Sequence, residues 1–296
     1  MKKILFIALS AISIVVAGLL VVACTPDAAN TPDAQMHKMA QRSAPEQDSA
    51  AVWEAFFADV EALNAMYASQ SRMVVNPSHN LYDELTTLRQ LIIYADVEGA
   101  QIGLDLADNI GGLPNDLLGT ATALSAYRSY KMYPEPDTTS NDTTNTGITI
   151  SIHHPNTILN LELEERPCVV IGKRHNQLLA SMVDSNYDAE DSSSEPQFQD
   201  FLERYEELYA PIRSSYKSRL LSQIRYARMP NLNANVTTAN ENFKNTTSLL
   251  PIASMRAYTD DYLEIVENTS LNSYDKMQMS VFASVAYYSG ALWVVE

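Results

Sequence analysis

The string best spaced for chemistry is Asp184-Ser-Asn186-Tyr-Asp188-Ala-Glu190-Asp-Ser192-Ser-Ser-Glu195. Its oxygen-bearing side chains fall at positions 1, 3, 5, 9 and 12 of a twelve-residue window, the spacing of a calcium-binding loop. Calcium needs such a string because it takes roughly six to eight hard oxygen ligands from a chain wrapped around it. Two residues depart from the pattern: Ala189 stands where the sharp turn calls for glycine, and Asp191 where an apolar residue joins a partner loop. The alternative is an acidic, Ser-rich connector whose Ser194 caps the next helix. The five histidines offer less. His153 and His154 are adjacent, so on a strand their rings face opposite ways and cannot share a metal. His37, His79 and His175 stand alone. No HExxH, zinc spacing, GxSxG or phosphate-cradling glycine loop occurs, and only nine glycines are present. A hydrolytic site would have to be assembled from scattered Asp and Glu by the fold. The chain names no catalytic residue, metal site or cofactor.

A sharper chemical signal lies near the start. Lys2 and Lys3 precede an apolar run from Ile4 to Ala23, which ends at Cys24 and gives way to Thr25-Pro26-Asp27. A cationic start, an apolar segment and a small residue before the break are the physics of an export signal. The four residues Val21-Val22-Ala23-Cys24 resemble the lipobox of bacterial lipoproteins. The resemblance implies that residues 1–23 are a cleaved signal peptide and that Cys24 becomes the first residue, carrying fatty acyl chains, palmitate among them. It covers the leader and no part of the mature chain. A 20-residue apolar run is also long enough to span a bilayer as an uncleaved anchor. The cysteine decides between them, because acyl transfer requires a nucleophilic sulfur and a spanning helix does not. One acyl chain holds a protein only marginally, whereas several make attachment durable. In enterobacterial lipoproteins an Asp after the cysteine favours the inner membrane; Thr25 departs from that, which points to the outer membrane in a Gram-negative host. The expected partners are therefore the lipid bilayer, through Cys24, and a further protein of the cell envelope.

Charge narrows the partners. Losing Lys2 and Lys3 with the leader leaves 18 basic against 36 acidic residues, a net of −18. Such a chain is repelled by nucleic acid and by anionic lipid surfaces, since binding to phosphates runs on Lys and Arg. With Cys24 acylated, Cys168 has no intramolecular partner, which excludes a disulfide scaffold. Hydrophobic residues make up 46% of the chain, enough for a sizeable core.

The elements that must position these groups read as mainly α, a helical bundle-like body with a small antiparallel β insertion at about 148–171. Residues 24–48, rich in Ala, Pro, Asp, Gln and Ser, read as a flexible tether, and 49–296 as a single mainly helical domain. A coil of about 25 residues has a span of roughly 25–30 Å. Val52, Phe56, Val60, Leu63 and Tyr67 mark one face of a first helix. Leu81, Leu85, Leu88 and Ile92 mark a second, which Gly99 and Gly103 loosen before the break at Gly111-Gly112-Leu113-Pro114. A third runs from Asn115 to about Met132.

After the polar stretch 137–147 the period becomes two. Ile148, Ile150 and Ile152, then Leu159, Leu161 and Leu163, then Cys168 to Ile171 predict three short strands. Helix returns over Arg174 to Val183 and over Glu195 to Met229, the latter kinked at Pro211. The Asn/Thr-rich stretch Asn231 to Ser248 reads as loop, and two helices follow, Leu250 to Asn268 and Ser273 to Val295. The last has no charge from Met277 to Val295, yet Gln278, Ser280, Ser284 and Ser289 make it too polar for a bilayer span and suit a buried core helix. Tyrosine pairs four apart, Tyr205/Tyr209 and Tyr258/Tyr262, suit helix seams at the edge of that core.

Overall fold

The computed structural model describes residues 50–70, 79–132, 150–152, 163–185, 187, 195–209, 212–248 and 250–295. The leader, Cys24, the tether, the polar stretch 137–147, most of the predicted middle strand and most of the acidic loop lie outside them. The described chain is predominantly helical, as the periodicity predicts.

Helix α1 (Ala50–Tyr67) buries Trp53, Phe56, Val60, Leu63 and Tyr67, the predicted stripe with Trp53 in place of the half-buried Val52. Helices α2 (His79–Asn109) and α3 (Pro114–Met132) form an antiparallel hairpin, the most extensive helix pair in the molecule. Gly111, at φ 68°, makes the turn between them in a conformation that side chains resist. Gly99 and Gly103 do not loosen α2; they are where α3 nests against it. A Cβ on Gly103 would sit 2.6 Å from Ala121 Cα, and one on Gly99 would sit 2.7 Å from the Leu124 carbonyl oxygen. The missing side chains let two backbones approach, and the helix continues unbroken because packing outweighs about 1 kcal/mol of glycine propensity per residue.

Helix α4 (Val169–Asp184) begins where a third strand was expected, with Cys168 at its N-cap position. A four-residue apolar run cannot by itself distinguish a buried strand from a buried helix turn, and the residues that follow decide it. The expected long helix from Glu195 is two: α5 (Glu195–Arg204) and α6 (Ser214–Gln223), the latter continued by a 3₁₀ turn, Ile224–Tyr226. Between them the chain turns at Tyr205–Leu208, and the Tyr209 hydroxyl donates to the Leu202 carbonyl at 2.5 Å. The apolar stripe continues across the break because both pieces pack on the same core.

The stretch expected as loop contains α7 (Ala234–Thr247). Asn233 caps it by accepting from the Asn235 amide, and Val236, Ala239, Phe243 and Thr247 are buried at helical spacing. Weak Asn/Thr propensity is overridden by that buried stripe. Helices α8 (Ile252–Asn268) and α9 (Ser273–Leu292) follow as expected. Every residue of α9 from Met277 to Leu292 is buried, and it packs against α2, α4, α7 and α8. It is the core helix its composition predicted, and no helix among the described residues is long and apolar enough to cross a membrane.

Strand β1 (Ile150–Ile152) pairs antiparallel with β2 (Trp293–Val295), matching Ile150 to Val295 and Ile152 to Trp293. The predicted first strand is present, but its partner is the segment after α9 rather than a neighbour inside a 148–171 insertion. The buried side chains form one continuous cluster from α1 to β2.

Candidate functional site

Of the residues the sequence singled out, few come together. Asp184 is the exposed last residue of α4, and Tyr187, fourth in the candidate calcium loop, is buried among Tyr127, Phe201 and Tyr205. The Ser185 hydroxyl meets Tyr205 Oη at 2.6 Å, which pins the start of the loop to the core. Asn186, Asp188, Glu190 and Ser192 lie outside the described residues. Among the described residues no cluster of His, Cys, Asp and Glu could hold a metal ion. Cys168 is buried, and burial pushes its thiol up to about 12, with Glu267 adding to the rise. That removes the thiolate a reactive cysteine needs, in line with its expected role as a small core hydrophobe.

The structure instead assembles a polar array the sequence did not reveal. Asp96 of α2, Ser125 of α3, His175 of α4, Ser289 of α9 and Trp293 of β2 converge in the interior. Asp96, Ser125, His175 and Ser289 have no exposed surface, and Trp293 has only 3%. Ser289 Oγ donates to Asp96 Oδ2 at 2.5 Å and Trp293 Nε1 donates to the same oxygen at 3.2 Å. His175 Nε2 lies 3.2 Å from it as well, at ion-pair distance but without hydrogen-bond alignment. Ser125 Oγ donates to the Asp96 backbone carbonyl at 2.6 Å and meets His175 Nδ1 at 2.9 Å. Nearby, Asn176 Nδ2 donates to the Tyr288 carbonyl at 2.8 Å.

Serine, histidine and aspartate in contact are the parts of a nucleophilic hydrolase site, so their roles can be checked one by one. In such a site the hydroxyl proton points at the base, and the carboxylate orients the ring through its other nitrogen. Ser125 has one proton, and the 2.6 Å contact commits it to the Asp96 carbonyl. The 2.9 Å contact therefore has the ring N–H as donor and the hydroxyl as acceptor. The base's proton points at the nucleophile, the reverse of what acyl transfer requires. The array is also sealed, with no exposed atom on Ser125, His175 or Asp96 for a substrate to reach. What it does is join five elements around one carboxylate.

A second buried acid works the same way nearer the surface. Asp116, in the first turn of α3, has no exposed surface and accepts from the Leu113 amide at 2.8 Å. It also accepts from the Arg213 amide at 3.1 Å and from Arg213 Nε at 2.8 Å, and the second guanidinium nitrogen lies 2.6 Å away. A carboxylate at a helix N-terminus complements the helix dipole, and Arg213, with two guanidinium nitrogens on Asp116 Oδ2 and its amide on Oδ1, clamps the α5–α6 break onto the α2–α3 turn. Arg219 adds a bond to the Ile110 carbonyl. Asp260 likewise takes Arg166 at 2.9 Å, Asp261 takes the Tyr67 hydroxyl at 2.8 Å, and Asp105 takes the Tyr274 hydroxyl at 3.0 Å. These carboxylates join elements and do not gather at a cleft.

The signal that marks Asp96 and Ser289 in the sequence is a polar residue set inside an apolar run, Leu91-Ile92-Ile93-Tyr94-Ala95-Asp96-Val97 in one case and the uncharged stretch of α9 in the other. Pairing them with His175 and Ser125 needed the three-dimensional fold. No family model, no curated protein and no solved structure matches this chain.

Proposed function

We propose that the chain is a lipoprotein of the bacterial cell envelope, held to the membrane by acylated Cys24, with residues 25–48 as its leash. The outer membrane is the favoured site in a Gram-negative host. The body at 49–296 serves as a binding or structural module rather than a catalyst, with another envelope protein as its expected partner. The observation that carries this reading is Val21-Val22-Ala23-Cys24 behind a cationic and apolar leader. Two features of the body support it. The acidic balance, −16 over the whole chain, suits a body facing an aqueous space. The described array most like a catalytic site has its proton on the wrong partner and no route for a substrate, which favours function through the surface.

Intact-mass measurement on protein extracted from cell envelopes tests the anchor. The expected species starts at Cys24 and carries the added mass of several acyl chains, and Cys24→Ser should abolish that mass and release the protein from the membrane fraction. A species retaining Met1, or one starting at residue 24 without fatty acids, overturns the anchor. Crosslinking in the envelope followed by detergent extraction should then recover one stable protein partner in stoichiometric yield.

A further inference from the structure

The charge of this chain is unevenly spread. From Leu208 to Asn240 there is no Asp or Glu, while Arg213, Lys217, Arg219, Arg225 and Arg228 all fall within it. The remaining residues carry 15 cations against 36 acids. The structure places this basic stretch on the outside, along α6, the 3₁₀ turn and the segment after it, where Arg225 and Arg228 are exposed. Apolar side chains are exposed beside them: Tyr226 at 56% and Met229 at 40%, each following an arginine. Arg225 lies over the Tyr226 ring, 4.9 Å from its centroid. Leu113, 46% exposed, stands beside Arg213 at the start of this stretch, because its amide and Arg213 share the Asp116 carboxylate. Of the acids near this face, Asp116 is buried under Arg213, half-buried Asp108 stands at the end of α2, and exposed Glu206 and Glu207 stand before the stretch begins.

We propose that this face, Arg213 to Met229 with Leu113, docks against the anionic phospholipid headgroups of the membrane that holds the anchor. The proposal rests on the lipid-anchor reading above. Charge complementarity selects the occupant, since cations beside an otherwise acidic body attract an anionic surface while the rest of the body is repelled by it. An exposed tyrosine and methionine between arginines suit the headgroup boundary, where apolar parts enter and guanidinium groups stay with phosphates. Docking thus sets which way the tethered body faces, leaving its acidic surface toward the aqueous side.

The test uses the full-length protein on phosphatidylcholine vesicles with and without phosphatidylglycerol, at low salt. Flotation reads the anchor, and oxidative footprinting of Met229 and Tyr226 reads the face, with Met66, 65% exposed on α1, as the internal control. Expected is flotation with both vesicle types, slower modification of Met229 and Tyr226 on anionic vesicles alone, and an unchanged rate at Met66. Arg225→Glu with Arg228→Glu should remove the protection without changing the melting temperature, each reversal weakening the contact about fivefold or more. A chain that floats with both vesicle types while Met229 and Tyr226 stay equally reactive overturns the docking face and leaves the anchor standing. A chain that floats with neither overturns both. Protection of Met229 in concentrated protein without vesicles would assign the face to a second copy of the chain and overturn the lipid reading.

Discussion

The central helix is held by different physics at its middle and at its C-terminal end. Near Phe282, α9 meets rings: Phe243 lies 4.8 Å from Tyr262, 5.6 Å from Tyr258 and 6.1 Å from Phe282, and Phe56 of α1 reaches the same group. Near Ser289 it meets the Asp96 carboxylate of α2, which β2 and α4 also reach. Ring packing is broad and tolerant, because an aromatic face accepts several arrangements of nearly equal energy. A buried carboxylate is intolerant, because each donor must arrive at one oxygen or leave a charge unanswered. The aromatic middle supplies burial; the polar end fixes which helix goes where.

Breaking the polar end should therefore cost most. Asp96→Ala is expected to lower stability by about 3–5 kcal/mol in denaturant unfolding, since Ser289 and Trp293 lose their shared acceptor at once and His175 loses the carboxylate beside it. Replacing Asp96 and His175 together by leucine should recover most of that loss while broadening the amide resonances of α4 and β2. Full recovery with sharp spectra would mean that the array contributes no specificity. Next comes Gly103→Ala, at about 2–3 kcal/mol, because the new methyl group meets the backbone of Ala121 rather than a side chain that can move. Phe243→Leu, at the aromatic middle, should cost only about 1–2 kcal/mol, the lost ring edges plus a small volume change. A loss equal to that of Asp96→Ala would erase the distinction between the two regions.

The gentlest probe is alkali. Burial pushes Tyr258 up to about 12, and Tyr67 also to about 12, the latter with help from its hydrogen bond to Asp261. Tyr262 and Tyr287 are raised by burial too. Above the ordinary tyrosine value the unfolded chain releases protons that the folded chain keeps, so stability falls as pH rises. The loss should begin near pH 10 and continue to about 12. Titration of tyrosinate absorbance should lag behind that of the denatured chain and end in cooperative unfolding. A titration that coincides with the denatured one would mean these rings are open to water.

The helices legible from sequence were those whose apolar stripe was dense, α1 and the start of α2 among them. Where composition and pattern disagreed, composition misled: α7 is rich in Asn and Thr, yet Val236, Ala239 and Phe243 carry the helical spacing that forms it. Cys168 to Ile171 was ambiguous at its length, and the glycines of α2 were read by propensity when their role was to admit α3. The break between α5 and α6 was foreshadowed by Pro211, but the clamp from Arg213 to Asp116 spans 97 residues and has no local signature. The same holds for the interior array, whose contacting pairs lie 29 to 197 positions apart. Spacing rules report what a single element presents to its surroundings; such pairings come from how elements stack.

The centre of this molecule is contributed late in the chain. Every helix that α9 touches precedes it in the order of synthesis, and β2, the strand that follows it, supplies both the partner for residues 150–152 and the indole that reaches Asp96. Until residues 273–295 arrive, the earlier helices surround an unfilled space and Asp96 lacks two of its donors. A polypeptide with that dependence is expected to stay loose when residues 273–295 are removed and to close when they are present.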